Sequence, residues 1–277
     1  MTVNDDEGRE RLEIELLLEA IYRRHGYDFR GYALASLRRR LWHRVYGEGL
    51  ATLSGLQERI LHEPACMDRL LRDLSINVTE MFRDPSFYVA LRERVFPILR
   101  THPYLRIWQA GCSTGEEIYS LAIALREEGL AQRTRIYATD INNAALERAA
   151  AGRFALERMQ RYTENYLRAG GTEEFSSYYS ADGDSARFDP SLGANIVLAQ
   201  HNLVTDGSFN EFHLIVCRNV MIYFGSALQE EVLQLFADSM MRNGILALGR
   251  KESIRHSRHA AQYDALDELE KIYRRRG

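Results

Sequence analysis

The sequence predicts an α/β fold: a mostly parallel, Rossmann-like sheet with a small inserted antiparallel subdomain, preceded by an all-α region. The first observation is a short apolar strand over residues 105–110 that runs into a small-residue turn, Gly111 to Gly115, and then into apolar residues at helical spacing. The second is that short apolar stretches recur after it, separated by helical or polar segments. These stretches are residues 134–138, 196–199, 212–217, 245–248 and, as a last antiparallel strand, 270–274.

Composition limits the classes of protein to consider. A chain of 277 residues with 45% hydrophobic residues has room for one large or two modest domains with a proper core. The formal net charge of −3 argues neither for nor against nucleic acid. Cys66, Cys112 and Cys217 lie far apart and share no metal-ligand spacing, which predicts reduced thiols, no metal site and a cytoplasmic protein. An acidic N-terminus and the lack of a run of roughly 20 apolar residues predict neither a signal peptide nor a membrane span.

Residues 1–76 predict a small helical domain. The pattern predicts a first helix that ends near Gly26, then helices over about residues 32–46, 53–61 and 63–74. The second of these has an apolar stripe and, on the other face, four arginines: Arg38, Arg39, Arg40 and Arg44. Such a face is either simply solvated or a docking surface for an acidic partner, and this feature alone does not decide between them.

Residues 77–103 predict a linker followed by a helix. Asn77, Thr79 and Arg83 are polar residues in a semi-apolar segment, and a covered arginine needs a partner, which in the simplest case is a linker salt bridge. Asp84 and Pro85 predict a helix N-cap and a first helical position, with the helix continuing toward Thr101.

The glycine turn is followed by two acids, Glu116 and Glu117, which makes it a poor phosphate-binding turn. A carboxylate suits ribose hydroxyls or a cationic ligand, and S-adenosylmethionine (SAM) carries both a ribose and a sulfonium. The alternative is that the two acids only complement the helix dipole. Taken alone, the two interpretations are evenly matched.

Polar residues follow the predicted strands at several points. Asp140 lies about 25 residues beyond Gly115, near the position of the acid that binds ribose hydroxyls at the end of a second strand. Glu117, Asp140, Asn202 and Asn219 are therefore expected to converge at the carboxyl edge of the parallel sheet, where open α/β folds bind ligands. Residues 152–190, rich in aromatic and polar residues, interrupt the βα alternation and predict the inserted subdomain.

Several stretches of the chain resemble the CheR family of chemotaxis receptor methyltransferases, from one end to the other. They are Asn77-Val-Thr-Glu-Met-Phe-Arg-Asp84, Gly111-Cys-Ser-Thr-Gly-Glu-Glu-Ile-Tyr-Ser120, Ala138-Thr-Asp-Ile141, Asn202-Leu203 and Cys217-Arg-Asn-Val-Met-Ile-Tyr-Phe224. The arginine helix, as Leu37-Arg-Arg-Arg-Leu41, is similar to the family's N-terminal domain.

The resemblance implies a SAM-dependent methyltransferase domain over residues 104–277, behind a receptor-recognition domain over 1–76. It implies methyl transfer from SAM to glutamate carboxylates of chemoreceptors, giving glutamyl 5-O-methyl esters and S-adenosylhomocysteine (SAH). By motif, the residues expected to contact SAM are Asn77, Thr79, Arg83, Glu117, Asp140, Asn202, Leu203, Asn219 and Val220. Arg83 and Tyr223 are expected closest to the transferred methyl, and Arg38, Arg39, Arg40 and Arg44 are expected to face the receptor's methylation helices. The inserted subdomain is where some relatives hold a C-terminal receptor tether.

The chain departs from the family pattern at two places. Ile118 replaces the usual proline after the paired acids, and Gly249-Arg250-Lys251-Glu252 replaces a Gly-His-Ser-Glu-like stretch. Two alternative functions stay open: a methyltransferase acting on RNA, which no separate RNA-binding motif supports, and a catalytically inactive SAM-binding receptor adaptor. We otherwise expect a monomer that binds no nucleic acid and does not insert into a membrane.

Overall fold

The computed structural model of this chain describes residues 3–75 and 79–277 and divides into two compact units. The first unit comprises residues 1–76 and Tyr223–Glu231, and the second comprises Asn77–Ile222 and Val232–Gly277. The segment Tyr223–Glu231 is thus part of the first unit, although the sequence assigns it to the methyltransferase domain. Within the described residues, no helix has the length and apolar character needed to cross a membrane.

The first unit is helical, as the sequence predicts. Its helices are α1 (Val3–His25), α2 (Leu34–Gly47), α3 (Leu53–His62) and α4 (Pro64–Leu74). Apolar residues at helical spacing, such as Leu37, Leu41 and Val45 of α2, are buried between these helices. Gly26, with a φ of 78°, follows α1 directly, which is the common left-handed end of a helix.

The second unit contains a seven-stranded sheet in the order β6-β2-β1-β7-β8-β10-β9. The first five of these pair in parallel, β10 is antiparallel to β8, and β9 is antiparallel to β10. The strands are β1 (Leu105–Ala110), β2 (Thr134–Asp140), β6 (Ile196–Gln200), β7 (Phe212–Cys217), β8 (Met240–Leu248), β9 (Tyr263–Asp267) and β10 (Ile272–Arg275). The central strands β1 and β7 are almost wholly buried, because helices cover both faces of a parallel sheet.

Helices connect the strands and flank the sheet. Before β1 run α5 (Pro85–Ala90), a π-helical segment (Leu91–Val95) and α6 (Phe96–Leu99). The other helices are α7 (Glu116–Glu127), α8 (Asn143–Ala151), α9 (Met159–Arg168), α10 (Pro190–Gly193) and α11 (Ser226–Asp238). Ile107 belongs to the large apolar cluster, while its neighbour Trp108 packs against Phe212 and Phe236, as alternation along a strand requires.

The inserted subdomain is a three-stranded antiparallel sheet, β3-β5-β4, together with α9. Its strands are β3 (Arg153–Ala155), β4 (Tyr179–Asp182) and β5 (Ser185–Phe188). Its aromatic residues pack on one another: Tyr166, Phe175 and Phe188 are all buried. The predicted α/β fold, with its inserted antiparallel sheet and its all-α N-terminal region, is therefore confirmed.

The structure differs from the sequence prediction in three details. The strand β9, which forms a hairpin with β10, was not predicted, because its alternation is weak and only one of its five residues is buried. The strand β8 begins at Met240, soon after α11 ends at Asp238 and before the predicted stretch 245–248. Pro85 does open α5, but the Asp84 side chain makes no cap hydrogen bond, since it binds Arg218.

Candidate functional site

The turn after β1 requires glycine at both ends. Gly111 has a φ of 73°, and a Cβ there would lie 2.4 Å from Cγ2 of Val220. Gly115 has a φ of 100°, and a Cβ there would lie 2.9 Å from Cβ of Ala149. Any side chain at either position would be strained by the backbone and would collide with a neighbour. The turn therefore packs closely against Val220, one of the residues predicted to bind the cofactor.

Asp140 ends β2 directly beside this turn. Its Oδ2 accepts a hydrogen bond from the Ser113 backbone N–H at 2.8 Å, and its Oδ1 accepts one from the Asn142 N–H at 2.9 Å. Burial raises the pKa of the Asp140 carboxyl, and these backbone donors act in the opposite direction. An ionised carboxylate has about four acceptor positions, so both oxygens keep capacity for a further donor such as a ribose hydroxyl.

Glu117 is joined to Arg218, a buried arginine that directly follows β7. The Glu117 carboxylate accepts hydrogen bonds from an Arg218 Nη and, at 2.7 Å, from Nε2 of Gln109. Arg218 also donates to Oδ2 of Asp84 at 2.7 Å and to the Arg83 carbonyl at 3.3 Å, and its guanidinium lies 4.0 Å from the centre of the Phe87 ring. A guanidinium with 1% of its side chain exposed is stable here only because two carboxylates pair with it.

The Glu252 carboxylate binds the backbone of the loop after β7. Its Oε1 accepts the backbone N–H groups of Val220 and Ile222, at 2.9 and 3.3 Å. Its Oε2 accepts those of Asn219 and Gly249, at 3.0 and 2.6 Å. Burial raises the pKa of the Glu252 carboxyl, and the four N–H donors favour its ionised form.

The same geometry explains the departure from the family pattern at residues 249–252. Gly249 is required because a Cβ there would lie 2.7 Å from Oε2 of Glu252 and 2.8 Å from the Asn219 nitrogen. Arg250 turns outward to pair with Glu270 and to bind Ser86, and Lys251 is exposed. The two residues that contact the loop, glycine and glutamate, are those this chain shares with the family stretch.

Asn202 and Leu203 follow β6, and both are half-buried. The Asn202 side chain accepts the Val204 N–H at 3.0 Å, while its own N–H donates to Asp206 at 2.8 Å. The preceding residue, His201, donates its backbone N–H to the Asp140 carbonyl at 3.2 Å. This bond brings the end of β6 to the end of β2.

The segment before α5 places Arg83 in an unusual backbone. Phe82 and Asp84, its two neighbours, have φ values of 50° and 55°. These lie in the left-handed region, which residues other than glycine rarely adopt. Such a conformation costs about 1–3 kcal/mol per residue and persists only where the surroundings hold it. Arg83 and Thr79 are both half-buried, and Asn77 lies outside the described residues.

Tyr223 lies in the first unit, and residues of that unit hold it. Its carbonyl accepts the Ala33 N–H at 2.9 Å, and nearby Gly225 donates to the Gly31 carbonyl at 2.8 Å. The guanidinium of Arg40 lies 4.5 Å from the centre of the Tyr223 ring. Tyr223 and Arg83, the two residues predicted to lie closest to the transferred methyl, therefore belong to different units.

The predicted basic face of α2 is wrong for Arg40. This residue is 5% exposed and donates to the Leu74 carbonyl at 2.9 Å. Arg44 is largely covered and pairs with Glu48 and Asp73. Only Arg38 and Arg39 are exposed, and Arg38 pairs with Glu10. Helical spacing places Arg40 one turn from Leu37 and next to Leu41 on the buried side, a position that the run of three arginines conceals.

Two residues of the site, Arg218 and Glu252, were not among the predicted site residues. Arg218 carries a signal in the sequence, since a charged residue directly after a mostly apolar strand needs a buried partner. Glu252 carries a weaker one, because only the position four residues beyond β8 distinguishes it from other surface acids.

The residues at this edge of the sheet fit SAM as a cofactor. The carboxylates of Asp140 and Glu117 are acceptors for hydroxyl and ammonium groups, and the glycine turn lets a ligand approach the backbone closely. No lysine or arginine occurs in residues 111–117, so the turn lacks the cation that a phosphate would need. SAM has a ribose, an ammonium and a sulfonium but no phosphate, which matches this set of side chains.

Comparison with known proteins agrees with this fit. A sequence model of the CheR methyltransferase SAM-binding domain matches residues 77–268, and one of the CheR methyltransferase all-alpha domain matches residues 12–75. A putative methyltransferase Cher3 of Pseudomonas putida is 48% identical over 264 residues, which are 95% of this chain and 97% of that protein. A chemotaxis protein methyltransferase of Listeria innocua is 32% identical over 231 residues, covering 83% and 85% of the two chains.

A more distant relative gives the same result. The chemotaxis protein methyltransferase of Escherichia coli is 29% identical over 191 residues, which are 67% of this chain and 64% of that protein. The two matched family domains follow one another and together span most of the sequence. The chain therefore belongs to the CheR family of SAM-dependent chemotaxis methyltransferases.

Proposed function

We propose that this protein transfers the methyl group of SAM to glutamate side-chain carboxylates of chemoreceptors, forming glutamyl 5-O-methyl esters. The observation that carries the proposal is the presence, in one chain, of the CheR SAM-binding domain and the CheR all-alpha domain. Relatives of this chain are named chemotaxis protein methyltransferases. We propose that the protein acts in the cytoplasm, on the methylation helices of these receptors.

The chemistry of this reaction needs little from the protein beyond positioning. When bound, SAM supplies an electrophilic methyl group on a sulfonium. A glutamate carboxyl with an ordinary pKa of about 4.3 is ionised near neutral pH, so its oxygen attacks without a general base. The O–CH3 bond forms as the S–CH3 bond breaks, the bonding electron pair stays on sulfur, and the products are the ester and SAH. Alignment of the two reactants and exclusion of water then supply the rate increase.

The predicted residues take distinct parts in this proposal. Asp140 accepts the ribose hydroxyls, and Glu117 interacts with the positively charged amino-acid end of the cofactor. Thr79, Asn202, Leu203, Asn219 and Val220, with Asn77 outside the described residues, complete the cofactor contacts. Arg83 steers the incoming carboxylate, and Tyr223 orients one of its oxygens by a hydrogen bond. Arg39 and Arg38 attract the acidic receptor helix.

The test uses SAM labelled in the methyl group and membranes that carry a chemoreceptor. We expect label on the receptor that is released as methanol by mild base, as a carboxyl ester requires. Arg83→Ala should lose most of this turnover, on the order of 10²-fold or more, because the carboxylate is no longer aligned. Arg148→Ala removes an exposed arginine of the same unit and serves as the matched control, with unchanged turnover.

Other outcomes would point to the alternative functions. Base-stable label on the receptor would contradict esterification, and label on RNA would favour the nucleic-acid methyltransferase. A protein that binds SAH by calorimetry but labels no receptor would be the inactive adaptor. Near-normal turnover by Arg83→Ala would contradict the role of Arg83 but not the proposed methyl transfer. Turnover of the wild type on receptors that carry a C-terminal tether, compared with its turnover on receptors that lack one, tests the proposed role of the inserted subdomain.

A further inference from the structure

The backbone around Arg83 is held from several sides. Both neighbours of Arg83 are left-handed, Phe82 at a φ of 50° and Asp84 at 55°. Because non-glycine residues avoid this region, the segment would relax to another conformation if its contacts were removed. The contacts that hold this segment therefore help to fix the backbone position of Arg83, from which its side chain extends.

The inserted subdomain supplies contacts on one side of this segment. Asn165 of α9, which is 1% exposed, donates from Nδ2 to the Met81 carbonyl at 3.0 Å. The ring of Phe82 is fully buried, 5.2 Å from the Tyr166 ring and 6.2 Å from the Phe175 ring. The subdomain thus binds both the backbone before Phe82 and the Phe82 side chain.

The sheet domain supplies contacts on the other side. The Phe82 N–H donates to Oγ of Ser120 at 2.9 Å, and this hydroxyl in turn donates to the Glu116 carbonyl at 2.6 Å. Arg218 binds the Arg83 carbonyl and the Asp84 carboxylate. The two left-handed residues, Phe82 and Asp84, are therefore held by contacts with α9 of the subdomain, with α7 and with the residue after β7.

We infer that α9 of the inserted subdomain positions Arg83 for catalysis. It does so through the hydrogen bond of Asn165 and through the aromatic rings of the subdomain that pack on Phe82. Asn165 is a positioning residue in this inference, because its side chain binds the Met81 carbonyl, in the backbone that leads to Arg83. The catalytic consequence rests on the proposed methyl transfer, whereas the structural consequence does not. The subdomain is then needed for turnover itself, in addition to any tether that it binds.

The test compares Asn165→Leu with Asn195→Leu. Leucine is close to asparagine in size and removes the donor without leaving a large cavity. Asn195 makes the same type of bond, from Nδ2 to the Ala131 carbonyl at 2.9 Å. It lies half-buried just before the edge strand β6 and serves as the control for loss of such a bond elsewhere in the unit. Ser120→Ala is a second variant that removes a different contact to the same segment. Two measurements are made: methylation kinetics, and amide hydrogen exchange of a peptide that covers residues 79–86.

We expect Asn165→Leu to lower kcat by 10- to 100-fold, on the order that a small misplacement costs, with KM for the receptor nearly unchanged. Exchange of the 79–86 peptide should be at least about tenfold faster, since local opening has become easier. Ser120→Ala should behave in the same way, and Asn195→Leu should change neither measurement. Wild-type kcat in Asn165→Leu, or an equal loss of kcat in Asn195→Leu, would overturn the inference.

A failure of the proposed function gives a different result. If the wild type labels no receptor, the methylation proposal fails, and hydrogen exchange alone decides whether α9 holds the Arg83 segment. Exchange of residues 79–86 that is the same in the wild type and Asn165→Leu overturns the inference in that case as well.

Discussion

Glu252 binds the backbone of Val220: its Oε1 accepts the Val220 N–H at 2.9 Å from a position 32 residues further along the chain. The same carboxylate accepts three more N–H groups, from Asn219, Ile222 and Gly249. A single buried acid therefore sets the path of the loop that carries two predicted cofactor residues. Because the loop also packs on Gly111, its position and that of the glycine turn depend on each other.

Glu252→Gln should destabilise this loop. Glutamine has one acceptor oxygen, so about two of the four N–H groups lose their partner and face an NH2 group instead. At 1–3 kcal/mol for each unsatisfied group, we expect a loss of about 2–6 kcal/mol in the free energy of unfolding. Affinity for SAH, measured by calorimetry, should fall on the order of tenfold, equivalent to about 1.4 kcal/mol. Lys251→Gln changes a charge one residue away on the surface, and a similar effect in that variant would contradict the role of Glu252.

Arg218→Met should be among the most destabilising substitutions in the second unit. It leaves the carboxylates of Glu117 and Asp84 without their buried cation, for which we expect a loss of about 3–5 kcal/mol in urea unfolding. Adding Glu117→Gln to Arg218→Met should recover about 1–3 kcal/mol, since one of the uncompensated charges is then removed.

The matched control for Arg218 is the exposed pair Arg255–Glu268, whose side chains are 70% and 72% exposed. Arg255→Met should cost less than about 1 kcal/mol, because water screens that pair. A double variant no more stable than Arg218→Met would show that the arginine acts by packing on Phe87 and not by charge.

Glu48 should make stability depend on pH in the helical unit. Arg69, Arg44 and Arg59 bind its carboxylate and lower its pKa from the ordinary 4.5 to about 2. A lowered pKa in the folded state means that this stabilisation is present above about pH 4.5 and is lost as the pH falls toward 2. Glu48→Gln should cost about 1–3 kcal/mol at pH 7 and much less at pH 2.5, by calorimetric unfolding at both pH values. Glu58→Gln, at an exposed position of α3, should show neither effect.

Arg39 and Arg40 should separate docking from folding, although they are adjacent. Arg39 is exposed, so Arg39→Ala should raise KM for the receptor several-fold at low salt and shift stability by less than about 0.5 kcal/mol. Arg40 is buried against the Tyr223 ring and the Leu74 carbonyl, so Arg40→Ala should cost about 2–4 kcal/mol. It should also lower kcat, because Tyr223 loses its support. Equal KM effects from the two variants, with equal stability, would refute this division.

Local patterns in the sequence were sufficient for most of the fold. The spacing of Leu37, Leu41 and Val45 and the apolar runs of β1 and β7 depend only on neighbours along the chain. The hairpin partner β9 was missed because only one of its five residues is buried, so its apolar alternation is weak. The cofactor residues were located by motif, and their roles stay predictions.

The sequence by itself determined the family, the helical and α/β regions, and the edge of the sheet where polar residues gather. Motifs and periodicity depend on residues that are close along the chain, so they can be recognised in a single sequence. Only the tertiary structure decided that Arg40 is buried, that Glu252 holds the loop of Asn219 and Val220, and that Asn165 binds the segment of Arg83. Each of these depends on a hydrogen bond between residues more than 30 positions apart, whose burial no local pattern specifies.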